Sequence, residues 1–283
     1  MSTATAATAA PTRTVDVAGT PFAYREVGTG QDVPLVLLHH VTAVLDDWDP
    51  AVIDGLATER RVILVDLRGV GRSGGTTPDT FEAMADDTVA FLDALGLDVA
   101  DLLGYSLGGI VAQVVAQRFP DRIRRIILAG TVPAGAPGPA ATGAALQAAI
   151  QKASEQGKHP KHFLFFESSP SGQAAADAFL ARLDQRTADD RDAPISDAAI
   201  GAQLAALTRW EQDSSPTGLT AVKQPALVVN GDNDTMWPTI TGALRLAQSL
   251  PDARLAVYPA SGHGGIFQYH EVFVQQALDF LRS

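Results

Sequence analysis

The chain has 283 residues, 46% hydrophobic and 19% charged, with 25 glycines and 17 prolines; this is ordinary globular usage and excludes a disordered, collagen-like or coiled-coil chain. Asp and Glu outnumber Lys and Arg by 32 to 21, a net charge of −11, so the basic stripe that gathers nucleic-acid phosphates is missing and an anionic membrane is repelled. There are no cysteines, which removes disulfides, thiolate nucleophiles and Cys-bound metals, and no apolar run of about 18 residues to span a bilayer.

The first residues, MSTATAATAAPTR, are small and polar, without the basic region and apolar stretch of a signal peptide. A disordered tail over 1–14 and a cytoplasmic location are expected. From residue 15 strands alternate with helices, with strands predicted at 15–17, 22–27, 33–39, 61–66, 100–105, 123–130, 226–230 and 253–258. The unbroken runs LVLL, VILV, IIL and LVV suit strands buried on both faces of a parallel sheet. Asp49 followed by Pro50 reads as an N-cap and first helical position. A helix over 80–95 stops at Gly96, and further helices follow Leu107, Thr239 and Gln268. The alternation predicts the α/β class, a doubly wound, mostly parallel sheet of about eight strands.

Between 133 and 216 the alternation breaks. Helical stretches are predicted at 140–156, 161–167, 171–187 and 196–212, flanked by two linkers rich in Pro, Gly and Ser, at 131–140 and 213–218. The block 134–216 reads as a helical insertion into a core of 15–133 and 217–283, at the end of the sheet where ligands bind.

The strongest chemical signal is GYSLGG at residues 104–109, between the strand ADLLGY and the helix LGGIVAQVVAQRF. Strand, sharp turn and helix are what a nucleophile elbow requires, and they select Ser106. Gly104 and Gly108, lacking Cβ atoms, let strand and helix backbones pass closely, and the Leu107 amide at the helix N-terminus is placed to hold an oxyanion. The second G-x-S-x-G match, around Ser73, runs into the loop GGTTPDT with no helix and fails this context. A serine needs a base held by a third group, and an elbow serine is followed by its acid and then its histidine. His263, in the glycine-rich loop after the strand ARLAVY, fits the base; His270 falls within the closing helix and reads as a packing or surface residue. In GDNDTMWP the spacing G-x-x-D with proline four residues later selects Asp234, with Asp232 as cap of the turn.

These motifs, in this order, resemble the α/β-hydrolase superfamily over 15–133 and 216–283. The resemblance implies that fold, a helical cap over 134–216, and Asp66 and Arg68 of DLRGVGRSGG as loop braces. It also implies a second oxyanion donor after the third strand, the Val41 amide. There the chain departs from its relatives: His40 occupies the position where most carry glycine. His39 is expected to be buried and bracing, and Trp48 to pack the first helix. The two adjacent histidines raise a metal site, but no carboxylate or third histidine stands at ligand spacing, so no metal and no cofactor is expected. His40, Tyr105, Phe163, Phe165, Phe166 and Trp210 are the candidate substrate contacts, internal packing being the alternative for the aromatics. His159 and His162, beside Lys158 and Lys161, read as a solvated surface.

The expected function is a serine hydrolase cleaving a carboxylic ester or lactone of a small molecule. A serine nucleophile argues against the epoxide hydrolases and dehalogenases of this fold, which use aspartate. Alternatives are a cofactor-free perhydrolase or haloperoxidase-like enzyme, or a carbon–carbon bond hydrolase with the same triad. Outside catalysis, a small-ligand receptor keeps the fold. No feature of the sequence specifies an oligomeric state.

Overall fold

The computed structural model describes residues 6–186, 191–213 and 218–283. Strands β1 (Arg13–Val17), β2 (Thr20–Val27), β3 (Leu35–Leu38), β4 (Val62–Val65), β5 (Ala100–Tyr105), β6 (Ile123–Ala129), β7 (Ala226–Gly231) and β8 (Ala253–Tyr258) form one sheet in the order β1-β2-β4-β3-β5-β6-β7-β8. β2 is antiparallel to β1 and β4, and the pairings from β4 across to β8 are parallel. Every predicted strand is present, with ends displaced by no more than two residues.

The helices are α1 (Pro50–Ala57), α2 (Phe81–Ala94), α3 (Leu107–Arg118), α4 (Thr142–Gln156), α5 (Lys161–Leu164), α6 (Pro170–Leu183), α7 (Asp197–Gln212), α8 (Gly218–Ala221), α9 (Arg245–Ser249), α10 (Gly265–Gln268) and α11 (His270–Arg282). Strand periodicity sorts the sheet's side chains between two cores. Val36, Leu38, Ile63, Val65, Leu102 and Ile126 pack with α2 and α3, while Leu35, Leu37, Leu64, Leu103 and Ile127 pack with α1 and α11. Both faces of the central strands are thus covered, which is why they read as continuous apolar runs.

Helices α4–α7 lie between β6 and β7, with no strand among the described residues of this block. Ser169 and Ser196 cap α6 and α7 through their side chains. The end of the predicted helix at Thr187 and residues 214–217 of the second linker lie outside the described residues. The insertion shares the cores beneath it: Leu207 and Trp210 belong to one, Phe165 and Phe179 to the other. Arg182 on α6 also grips Asp49 at 2.8 and 2.6 Å, so the α1 N-cap, which accepts from Ala51 N–H, is also an anchor for the insertion.

The expectation of a disordered tail over 1–14 needs correction. Residues 1–5 lie outside the described residues, but Ala7–Ala9 form a turn of 3₁₀ helix and Ala10 is buried. Ala7 N–H donates to Asp54 at 2.7 Å, and the Arg186 guanidinium donates to the Ala7 and Ala10 carbonyls. Those partners stand 47 to 179 residues away and left no trace in the local composition. No helix among the described residues is long and apolar enough to cross a membrane.

Candidate active site

Because β3, β5, β7 and β8 are parallel, the loops leaving them meet along one edge of the sheet. Those loops carry Val41, Ser106, Asp234 and His263. Ser106, in the turn between β5 and α3, has φ 58° and ψ −120°, a left-handed backbone that costs a non-glycine residue about 1–3 kcal/mol. The turn persists because neighbours determine it on both sides. Ser106 N–H donates to Ala129 O at 2.8 Å and its carbonyl accepts from Gly109 at 2.9 Å. The close approach rests on glycine: a Cβ on Gly104 meets Gly108 O at 2.3 Å, and one on Gly108 meets Leu38 O at 2.1 Å.

Ser106 Oγ lies 3.0 Å from His263 Nε2, and His263 Nδ1 lies 2.7 Å from Asp234 Oδ2. The carboxylate accepts at Nδ1, so the imidazole proton sits there and the Nε2 lone pair faces the serine. Asp234 Oδ1 accepts the Met236 and Trp237 amides at 2.9 and 3.0 Å, which holds the carboxylate in place. All three side chains are buried. Asp232 is exposed and accepts from Ser261 N–H at 3.2 Å, a turn contact. Ser73 is tied down elsewhere, donating to Asp66 O at 2.7 Å and accepting from Ala23 N–H at 2.9 Å. Arg68 is held by Asp87 and Thr20, and Asp66 accepts from Leu45 N–H at 3.0 Å.

Neither the Leu107 nor the Val41 amide donates to another described residue. The Leu107 amide is the orphan donor of an α-helix first turn. Gly108 N–H reaches back to His39 O at 2.8 Å and joins the elbow to the loop that carries Val41. His39 stacks on Trp48 with ring centroids 4.4 Å apart, and its Nδ1 accepts from His40 N–H at 2.8 Å. His40 has the opposite tautomer: its Nδ1 donates to the Val41 carbonyl at 2.6 Å. Burial, helped by the nearby Lys161 ammonium, pushes the His40 pKa down to about 3. The ring is neutral, and its Nε2 is an acceptor.

Ser106, His263, His40 and Val41 line one cavity of about 620 Å³ beneath the insertion. Of the six candidate contacts, His40 and Phe165 line it; the other four do not. Tyr105 lies behind His263, with its hydroxyl donating to the His263 carbonyl at 3.2 Å. Phe163 and Phe166 line a separate cleft beside Asn233 and Gly262. Trp210 faces the core, with its indole N–H donating to Val132 O at 3.3 Å and its ring edge-on to Phe81. Aromatic residue type marked these side chains but not the direction each faces.

The cavity walls that sequence reasoning missed are largely aliphatic: Leu146 and Ile150 from α4, Ile200 and Leu204 from α7, with Leu164 and Met236. Their i, i+4 spacing along α4 and α7 was the available signal. The expected solvated surface around Lys161 is also corrected. Lys161 and His162 are buried. Lys161 pairs with Asp47, and both line the cavity, while His162 bonds Asp177 at 2.7 Å. Burial opposes ionisation of Asp47, yet the Lys161 ammonium holds its carboxyl well below the usual carboxylate range.

Residues 33–268 match a family model described as alpha/beta hydrolase fold. An alpha/beta hydrolase fold protein from Chitinophaga pinensis, known as a solved structure, is 40% identical and superposes with a TM-score of 0.93, over 99% of this chain and 100% of that one. A Rhizobium rhizogenes protein provisionally named a carbamate hydrolase is 30% identical over 241 residues, 83% of this chain and 87% of that one. A non-heme chloroperoxidase of Streptomyces lividans is 27% identical over 268 residues, 94% of this chain and 97% of that one.

Proposed function

Since the chain belongs to the α/β hydrolase fold family, we propose that it is a serine hydrolase cleaving a carboxylic ester or lactone of a small molecule through an acyl-enzyme on Ser106. The observation that supports this most directly is the unbroken chain Ser106 Oγ–His263 Nε2–His263 Nδ1–Asp234 Oδ2 at 3.0 and 2.7 Å, beside two amides with no acceptor among the described residues. Ser106 Oγ attacks the carbonyl carbon as its proton passes to His263 Nε2, and Asp234 stabilises the imidazolium. The carbonyl oxygen becomes an oxyanion held by the Leu107 and Val41 amides. His263 then protonates the departing alkoxide, and the ester C–O bond breaks. In the second half His263 takes a proton from water, the hydroxide carbon–oxygen bond forms, and Ser106 leaves with that proton. The aliphatic cavity suits a small apolar acyl or alcohol group.

The test is a panel of short and long acyl esters, aryl esters and lactones, with a fluorophosphonate probe mapped by peptide sequencing. Turnover together with a single label on Ser106 is expected. Binding of the panel without turnover, or a label elsewhere, overturns the reading. Running the panel with hydrogen peroxide as acceptor separates hydrolysis from peracid formation, the reading that the chloroperoxidase relative favours.

A further inference from the structure

The Val41 amide is useful only if it points at the oxyanion, and no regular element holds it: residues 39–44 form a loop after β3. Thr42, the next residue, has φ +69°, a left-handed conformation that a β-branched residue adopts only when neighbours impose it. The peptide unit joining Val41 to Thr42 is gripped at both ends. Its carbonyl oxygen accepts from His40 Nδ1 at 2.6 Å, and its N–H donates to Gln203 Oε1 at 2.9 Å. A planar peptide pinned at both ends cannot rotate, so ψ of Val41 and φ of Thr42 are set, and the preceding unit, which bears the Val41 amide, is closed into the same turn by Ala43 N–H donating to His40 O at 3.3 Å. Gln203 is 2% exposed and lies on α7, 161 residues along the chain from Thr42. Its helix neighbours Ile200 and Leu204 line the cavity that contains Ser106.

We propose that Gln203 is a positioning residue for the oxyanion hole, through which the inserted helix α7 sets the direction of the Val41 amide. This rests on the serine-hydrolase reading and adds to it: the insertion that encloses the substrate also completes the catalytic machinery. A substrate that packs against Ile200 and Leu204 presses on the helix that holds the loop.

Gln203→Met keeps the side-chain length and removes the acceptor. The expected result is a kcat lowered by about 10- to 100-fold, part of the loss for a missing oxyanion donor, with KM changed by less than about threefold. A trifluoromethyl ketone provides the readout that loss of packing alone does not move. Ser106 Oγ adds to its carbonyl carbon, the proton passes to His263, and the ketone oxygen becomes an oxyanion. Its affinity should fall by the same factor as kcat/KM, while the corresponding secondary alcohol, which forms no oxyanion, binds as before. Gln203→Glu, which retains an acceptor oxygen at the same reach, should keep kcat well above the Met variant. If Gln203→Met does not fold, Gln203→Asn withdraws the oxygen by one methylene and should produce the same selective loss. Wild-type kcat in the variant, or equal losses for ketone and alcohol, overturns the proposal. Activity that survives Ser106→Ala refutes the serine-hydrolase reading itself; Ser106-dependent activity that ignores Gln203 refutes only this inference.

Discussion

His40 Nδ1 lies 2.6 Å from the carbonyl oxygen of its own neighbour Val41, and this contact decides what the imidazole can do. A carbonyl only accepts, so the ring's single proton is on Nδ1, and burial keeps the second proton off, with a pKa of about 3. The His40 side chain therefore cannot donate from Nε2 to an oxyanion. His40→Ala should lower kcat/KM by less than about tenfold, short of the 10²- to 10³-fold cost of an oxyanion donor. The pH–rate profiles of wild type and variant should have the same inflections above about pH 5. A hundredfold loss, or an inflection that disappears in the variant, contradicts the assignment.

The two elbow-like serines should separate cleanly by measurement. Ser106→Ala should lower turnover by about 10⁴-fold or more with the fold intact, because nucleophile and base act as a unit. Ser73→Ala should retain kcat and instead lower stability by about 1–3 kcal/mol, since it strips a buried donor and acceptor from the Asp66 carbonyl and Ala23 amide. Paired denaturant melts and initial rates check both.

Asp234→Asn should cost about 10³- to 10⁴-fold in kcat, because the amide no longer enforces the Nδ1–H tautomer of His263. Asp232→Asn, which touches only the turn at Ser261, should stay within about tenfold of wild type. Reversed effects would move the acid by two residues.

Cavity and core residues of the insertion should respond differently. Phe165→Ala and Leu204→Ala enlarge the cavity around Ser106 and should reorder preference among acyl chain lengths. Trp210→Ala should leave the ranking unchanged and destabilise by about 3–5 kcal/mol, as a buried aromatic in a packed core does. A changed ranking in the tryptophan variant places it against substrate after all.

Asp66 should impose a pH dependence on stability. Burial, then the neighbouring Asp192 carboxyl, pushes its pKa well above the ordinary value, so the folded protein holds a proton that the unfolded chain releases near pH 4. Stability from this group is present below the unfolded value and is lost as pH rises toward the folded one. Asp66→Asn mimics the protonated acid and should flatten the fall in thermal midpoint as pH rises above about 4. A steeper fall in the variant contradicts the assignment.

What the sequence by itself determined is local. The strands are written in short runs of apolar residues, and the elbow in the glycines at 104 and 108. Ser106, Asp234 and His263 stand in turns that end strands, so the segments that bring them together were legible one at a time, and the α/β-hydrolase class followed from the order of those motifs. Tertiary structure decided the rest. Phe163, Phe165 and Phe166 read alike in sequence, yet α5 ends at Leu164, and only packing of the turn that follows against distant segments sets which one meets the cavity. The partnerships of Lys161 with Asp47, Arg182 with Asp49 and Gln203 with Thr42 span 114 to 161 residues. A strand buried on both faces announces itself by composition, whereas a helix inserted over a sheet has its orientation chosen by the surface it lands on.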